Sequence, residues 1–212
     1  MIVAIGGIKG GSGKSMTCVN LTVIRALMGK RVLLVDADEQ RSASNWVNLR
    51  MASQISTPWT TIRLEGNNVC TEIQKLALNY DDILIDCGGR DTTSLRAALM
   101  VADKFIVPFQ PKSFDVWTAT DVNSLILNAK MFNQRLIAHS FVNCAKPRGS
   151  DNEQAQTILA ELQGMSLLPV TIGQRNAFSN ATACGKGVVE DNTDYKAVTE
   201  IKALHDAIYT IE

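Results

Sequence analysis

Apolar residues fall along this chain in two kinds of run. Short runs rich in Val, Ile and Leu recur as "MIVAIGG", "RVLLVD", "WTTIRLEG", "DILIDCG", "KFIVPFQ", "LIAHSFVN" and "LLPVTIG". Several are nearly continuous rather than alternating, which predicts strands buried on both faces. Between them lie longer stretches with apolar residues at helical spacing, among them "SMTCVNLTVIRALMG", "NVCTEIQKLALNY", "TSLRAALMVA" and "DNEQAQTILAELQG". Gly29 and Gly164 read as helix stops. Strand alternating with helix over the whole length predicts an α/β fold, a mostly parallel twisted sheet with helices on both faces, and residues 1–212 as a single domain. The last stretch, "TDYKAVTEIKALHDAIYTIE", reads as an amphipathic helix. From residue 187 onward two lysines stand against six acids, the wrong sign for a basic membrane-surface helix, so packing onto the sheet is expected.

Composition narrows the class without naming a partner. The chain has 212 residues, 46% of them hydrophobic, enough for a substantial core. Lys plus Arg and Asp plus Glu are both 21, so any contact with nucleic acid has to come from a local patch. Five cysteines without a CxxC pair fit reduced thiols better than a disulfide framework or a zinc site. No apolar stretch approaches a membrane span, and no charged n-region with a long apolar segment opens the chain. A cytoplasmic protein is expected.

The most specific chemistry follows the first apolar run, in "IKGGSGKSMT", residues 8–17. A glycine-rich turn between a strand and a helix lets backbone N–H groups point at phosphate oxygens, and the helix dipole adds to the attraction. In such a loop Lys14 reaches the β and γ phosphates and the Ser15 hydroxyl ligates Mg2+. The general pattern wants glycine at position 8, where this chain has Ile8, and a second lysine, Lys9, precedes the loop.

K-G-G-x-G-K-[ST] with its leading lysine is the deviant Walker A motif, and this stretch resembles that of the ParA/MinD family of partition ATPases. The resemblance implies a P-loop NTPase that binds ATP or ADP with Mg2+ through Lys9, Gly10, Gly11, Ser12, Gly13, Lys14, Ser15 and Met16. It also implies an ATP-dependent homodimer in which Lys9 crosses to the nucleotide held by the other subunit. One lysine would serve the chain's own nucleotide and the other would read whether a partner has arrived.

Two acidic segments stand where such an enzyme needs them. "RVLLVDADEQ" ends a buried run at Asp36 and presents Asp38 two residues on, and ligands of open α/β sheets gather at the carboxyl ends of strands. The segment is similar to the family's D-x-D-P-Q, whose second acid, matched by Asp38, orients the water that attacks the γ-phosphate; Glu39 stands where the family has proline. The simpler alternative is that Asp36 and Asp38 cap the next helix. "DDILIDCGGR" looks like a Walker B element, with Asp86 holding a Mg2+-bound water and Gly88 and Gly89 admitting the γ-phosphate. Ser15, Asp86 and Asp36 are the candidate metal residues, since Mg2+ keeps several waters and takes few protein ligands. Cys87 is not expected to be a nucleophile, because phosphoryl transfer to water requires positioning and charge rather than a thiol. "PFQPKSFDVW" resembles the family's proline-containing loop near the nucleotide and the dimer interface. Asn143 matches a position at which relatives hydrogen-bond adenine.

Residues 130–186 hold six Lys or Arg against three acids, a modest basic excess suited to weak, salt-sensitive contact with phosphates. ParA-like proteins bind nonspecific DNA as ATP-bound dimers, and Lys146, Arg148, Arg175 and Lys186 are the candidate contacts, with ordinary solvated charge as the alternative. No helix-turn-helix precedes the loop, so operator recognition is not expected. The resemblance thus implies a nucleoid-associated ATPase stimulated by a ParB-like or other cargo adaptor and moving plasmid or other DNA. A positioning ATPase for a protein cluster or for conjugative DNA, and a metabolic P-loop ligase, are the alternatives. A MinD-like membrane role is disfavoured by the acidic C-terminus.

Overall fold

The computed structural model describes residues 1–111, 116–148 and 150–210. Each of the seven apolar runs is a strand: β1 (Ile2–Ile5), β2 (Val32–Ala37), β3 (Thr60–Arg63), β4 (Asp82–Cys87), β5 (Lys104–Phe109), β6 (Ile137–Ala145) and β7 (Ser166–Gly173). They form one sheet in the order β3-β2-β4-β1-β5-β6-β7, every pair parallel. Every residue of β2, β4 and β5 is buried, as continuous runs require, whereas the edge strand β3 has no buried residue. Pro108 sits inside β5 without breaking the ladder. β1 pairs with β5 only as far as Ile5 and Ile106, and Gly6 closes that ladder onto the Ile106 carbonyl. Two residues further on, the Pro108 nitrogen faces the β1 side after β1 has left, so no bond is lost.

Residue alternation along the strands divides the core in two. Leu33, Val35, Ile83, Ile85, Phe105 and Val107 face α3 (Asn68–Leu76), α4 (Thr93–Val101), α5 (Val116–Lys130) and α6 (Asp151–Ala160). Val32, Leu34, Leu84 and Ile106 face α1 (Lys14–Leu27), α2 (Ser42–Ala52), α7 (Asn176–Ala183), α8 (Val188–Asp191) and α9 (Tyr195–Thr210). The acidic C-terminal helix α9 packs on the sheet through Ile201, Leu204 and Ile208, as its pattern predicts. His205 of the same helix is also buried, its ring 4.8 Å from that of Tyr209 one turn on. Gly29 ends α1 with φ +76°, a conformation that costs a side chain, while N–H groups 29 and 30 close back on Ala26 and Arg25. Gly164 is not a helix stop. α6 ends at Ala160, and Gly164 instead packs so tightly that a Cβ there would stand 2.7 Å from Asn123 Oδ1. No helix among the described residues is long and apolar enough to cross a membrane.

Candidate nucleotide site

At the carboxyl ends of β1, β2 and β4 the chain turns through three polar loops, and these converge. The loop from Ile8 to Gly13 leads into α1, whose first residue is Lys14, with Gly13 in the left-handed region at φ +93°. A side chain at Gly13 would collide with the Asn143 amide, so glycine is required on both counts. Three contacts hold this loop in shape. Asn143 Nδ2 donates to the Ser12 carbonyl at 2.7 Å, Gln110 Nε2 donates to the Gly11 carbonyl at 2.5 Å, and Gly89 approaches Gly10 so closely that a Cβ would lie 2.9 Å from its backbone. The sequence pattern gave no reason to select Gln110, although a polar residue directly after a central strand is where the strand-end rule places ligands. Residues 112–115 of the proline-containing loop lie outside the described residues.

The resulting cleft, of about 560 Å3, is lined by Gly10, Gly11, Gly13, Lys14, Ser15 and Met16 on one side and by Asp38, Glu39, Gln40, Gly88, Gly89 and Arg90 on the other. Lys14 is buried and its Nζ donates to the Lys9 carbonyl at 2.9 Å. Burial lowers its pKa, and the charges of Asp86, Asp38 and Cys87 oppose that shift. Asp86 is fully buried, and neither of its carboxylate oxygens completes a hydrogen bond. Burial pushes its pKa up to about 7, with Asp36 and Asp38 adding to the rise while the Ser15 hydroxyl and Lys14 work against it. An orphaned carboxylate next to a helix-start serine fits an Mg2+ ion with its waters, whose charge would offset the phosphates and the buried acid. Ser15 would bind that ion directly and Asp86 through water. No cluster of three metal-ligating side chains exists among the described residues.

Asp36 departs from expectation. It is buried at the end of β2, where one oxygen accepts the Asp38 N–H at 3.2 Å and the other accepts the Ser44 N–H at 2.7 Å. Its charge satisfies the start of α2, the capping alternative, and it is removed from the metal set. Asp38 is partly exposed, lines the cleft and accepts the Gln40 N–H at 3.0 Å. A Cβ at Gly88 would come within 3.1 Å of Asp38 Oδ1, so the double glycine leaves room for that carboxylate. Lys9 is exposed and does not line this cleft. Cys87 is buried with its thiol pKa raised far above the usual range by burial, which leaves no thiolate for catalysis.

A second cleft, of about 500 Å3, adjoins the first through Gly11, Gly13 and Met16. Asn143, Cys144, Gln174, Arg175 and Phe178 line it, a largely apolar slot with amides at its edge, suited to a base. Asn143 is fully buried, and its Oδ1 has no hydrogen-bond partner. Arg175 belongs to this wall and is not a free surface cation. Its guanidinium pairs with Glu200 at 2.9 and 2.6 Å and approaches Asp194 at 3.8 Å, which corrects its selection as a DNA contact. Lys146 also has a partner, Asp151 at 3.0 Å, but both remain accessible. Arg148 is exposed and Lys186 half-buried.

Residues 3–188 match the family described as the CobQ/CobB/MinD/ParA nucleotide binding domain. The chain belongs to this family. Its curated relatives include the maintenance of carboxysome distribution protein A of Halothiobacillus neapolitanus, 28% identical over 89% of this chain and 86% of that protein. Another is protein ParA of Rhizobium radiobacter, 24% identical over 84% of this chain and 80% of that protein. The solved structure of apo McdA from Cyanothece superposes with a TM-score of 0.81 at 15% identity, covering 98% of this chain and 99% of that one. As a member of the ParA/MinD family the chain is an ATPase of the positioning type, and its cofactors are ATP or ADP with Mg2+. Proteins of this family dimerise and work with partner proteins.

Proposed function

We propose that the chain acts as a single ATPase unit that positions a cargo by switching between an ATP-bound homodimer and an ADP-bound monomer. The observation that carries this reading is the pairing of two lysines at one phosphate loop. Lys14 is buried inside the cleft, whereas Lys9, five residues earlier in the chain, is exposed, and in this reading it meets a second subunit's nucleotide. Asp38 orients the attacking water, Lys14 and the loop N–H groups neutralise phosphate charge, and a cargo adaptor stimulates turnover. In the dimer, Arg148, Lys186 and Lys146 are doubled into a surface that holds nonspecific DNA by charge, which places the protein on the nucleoid. The cargo in this reading is a plasmid or other DNA. A protein cluster is the second reading, favoured by the carboxysome-distribution relative and its length-matched fold.

The test measures duplex binding with ATP or ADP over a salt series, for wild type and Lys9→Ala. Salt-sensitive binding with ATP alone, lost together with dimerisation in Lys9→Ala, is expected. ATP binding without any DNA binding would remove the nucleoid role and bring a metabolic ligase to the front.

A further inference from the structure

The turn after β4 carries a charged side chain that the site described above does not use. Arg90 follows Gly88 and Gly89, is exposed, and lines the phosphate cleft opposite Lys14 and beside Asp38 and Gln40. Among the described residues it has no hydrogen bond and no ion pair. The acid next to it in the chain, Asp91, is taken: Arg96 grips both of its oxygens, at 2.8 and 2.5 Å. Asp86 is sealed beneath the loop, and an Asp38 oxygen accepts from Gln40. A cation therefore stands without an ion pair at an anion-binding cleft, which Asp38 and Glu39 also line.

Its starting point is fixed close to the chemistry. A Cβ on the preceding residue, Gly89, would lie 3.1 Å from Lys14 Nζ, the atom that reaches the terminal phosphates. Arginine is long enough to carry its planar fork back over that point, and the fork matches two phosphate oxygens at once.

We propose that Arg90 grips the terminal phosphate of the nucleotide bound in its own subunit and stabilises the charge that grows there during hydrolysis. In that step the water oxygen bonds to the γ-phosphorus and the bond to the bridging oxygen breaks, its electron pair passing to the β-phosphate. One water proton stays on the released phosphate and the other goes to solvent. Charge rises on the γ-oxygens and on the leaving oxygen, and a guanidinium at the rim meets it. ADP has no terminal phosphate, so Arg90 favours ATP over ADP as well as speeding turnover. The chain then carries its own arginine for basal hydrolysis instead of waiting for a partner to bring one. This rests on the ATPase activity and not on DNA binding.

The experiment uses the full chain with Mg2+ and no DNA or adaptor, comparing wild type, Arg90→Ala, Arg90→Lys and Arg135→Ala. Arg135 is an exposed arginine before β6, at the opposite end of the strands, and controls for loss of one charge. Melting temperature verifies folding, and kcat and the Kd values of fluorescent ATP and ADP analogues are the readouts. Arg90→Ala is expected to lower kcat and the ATP-over-ADP preference each by about tenfold or more, the loss of a charged hydrogen bond, with ADP affinity little changed. Arg90→Lys regains part of this, and Arg135→Ala matches wild type. Equal weakening of ATP and ADP, or an unchanged kcat and preference, overturns the assignment. Wild type that hydrolyses ATP through Arg90 yet never binds DNA sinks the nucleoid reading and leaves this one standing.

Discussion

The two ends of the sheet treat polar groups in opposite ways. At the amino ends of the strands three carboxylates have work to do within the fold. Asp103 accepts the Ile2 N–H at 2.7 Å, Asp82 is held by Arg25 at 2.7 Å, and Asp81 receives the Arg31 side chain at 2.8 Å along with its backbone N–H. The buried Lys104 ammonium donates to the Ile208 carbonyl at 2.6 Å, tying β5 to α9, and Asn133 closes two carbonyls at the end of α4. At the carboxyl ends Asp86 is buried without a hydrogen bond, Lys14 is desolvated, and an Asn143 oxygen is left over. The charged groups of one end are paired and hold the fold together, although Tyr209 Oη and His205 Nε2 beside them complete no hydrogen bond. The other keeps its bonding capacity for a ligand, which is where perturbed and unsatisfied groups mark function.

The largest test of this contrast removes the central cation of the unsaturated end. Lys14→Ala is expected to cut kcat by about 10²–10³-fold while the melting temperature of the nucleotide-free protein changes little or rises, since a buried charge is lost. Steady-state hydrolysis and a thermal melt check it together. A matched pair of substitutions sharpens the comparison. Asp82→Asn strands the Arg25 guanidinium, whose side chain is 11% exposed, and is expected to destabilise by about 2–4 kcal/mol. Asp86→Asn removes an unpaired buried charge and is expected to stabilise the nucleotide-free protein at pH 8 while abolishing Mg2+-dependent turnover. Chemical denaturation of both variants reads the two signs, and equal signs would erase the distinction between the ends.

The smallest effect is a pH slope. His139 lies on β6 with Nδ1 2.8 Å from Ser166 Oγ on β7. Burial first, then the charges of Lys104 and Lys130, lower its pKa below the ordinary 6.5. The folded state therefore binds its proton less readily than the unfolded chain. The contribution is fully present above about pH 6.5 and is lost as pH falls further. The denaturation midpoint of His139→Asn should accordingly change less than that of wild type between pH 7 and 5.

Legibility in the sequence followed from how local each feature is. The strands β2, β4 and β5 were readable because full burial makes them short apolar runs, and α1 because its glycine loop and Gly29 bracket it. Gly164 was misread because its reason lies in the side chain of Asn123, forty-one positions away. The phosphate loop, Asp38 and Asp86 drew attention because each lies at or directly after the carboxyl end of a strand. Asp36 was placed in the right region but given the wrong task, since only the course of the chain after β2 shows that the Ser44 N–H comes back to it. Arg175 looked like a free cation because nothing in its neighbourhood reveals Glu200, twenty-five residues on.

The sequence by itself determined the parallel α/β sheet, the phosphate loop with its two lysines, and the family to which the chain belongs. These rest on period, burial and adjacent residues, which are properties of short segments. Tertiary structure alone decided which charges are spent and which are kept: Asp36 on α2, Arg175 on Glu200 and Asp91 on Arg96, with Asp86 left without a hydrogen bond beneath the loop and Arg90 left facing the cleft. Electrostatic pairing depends on distance in space and on exclusion of water, and folding brings together partners that the chain keeps far apart.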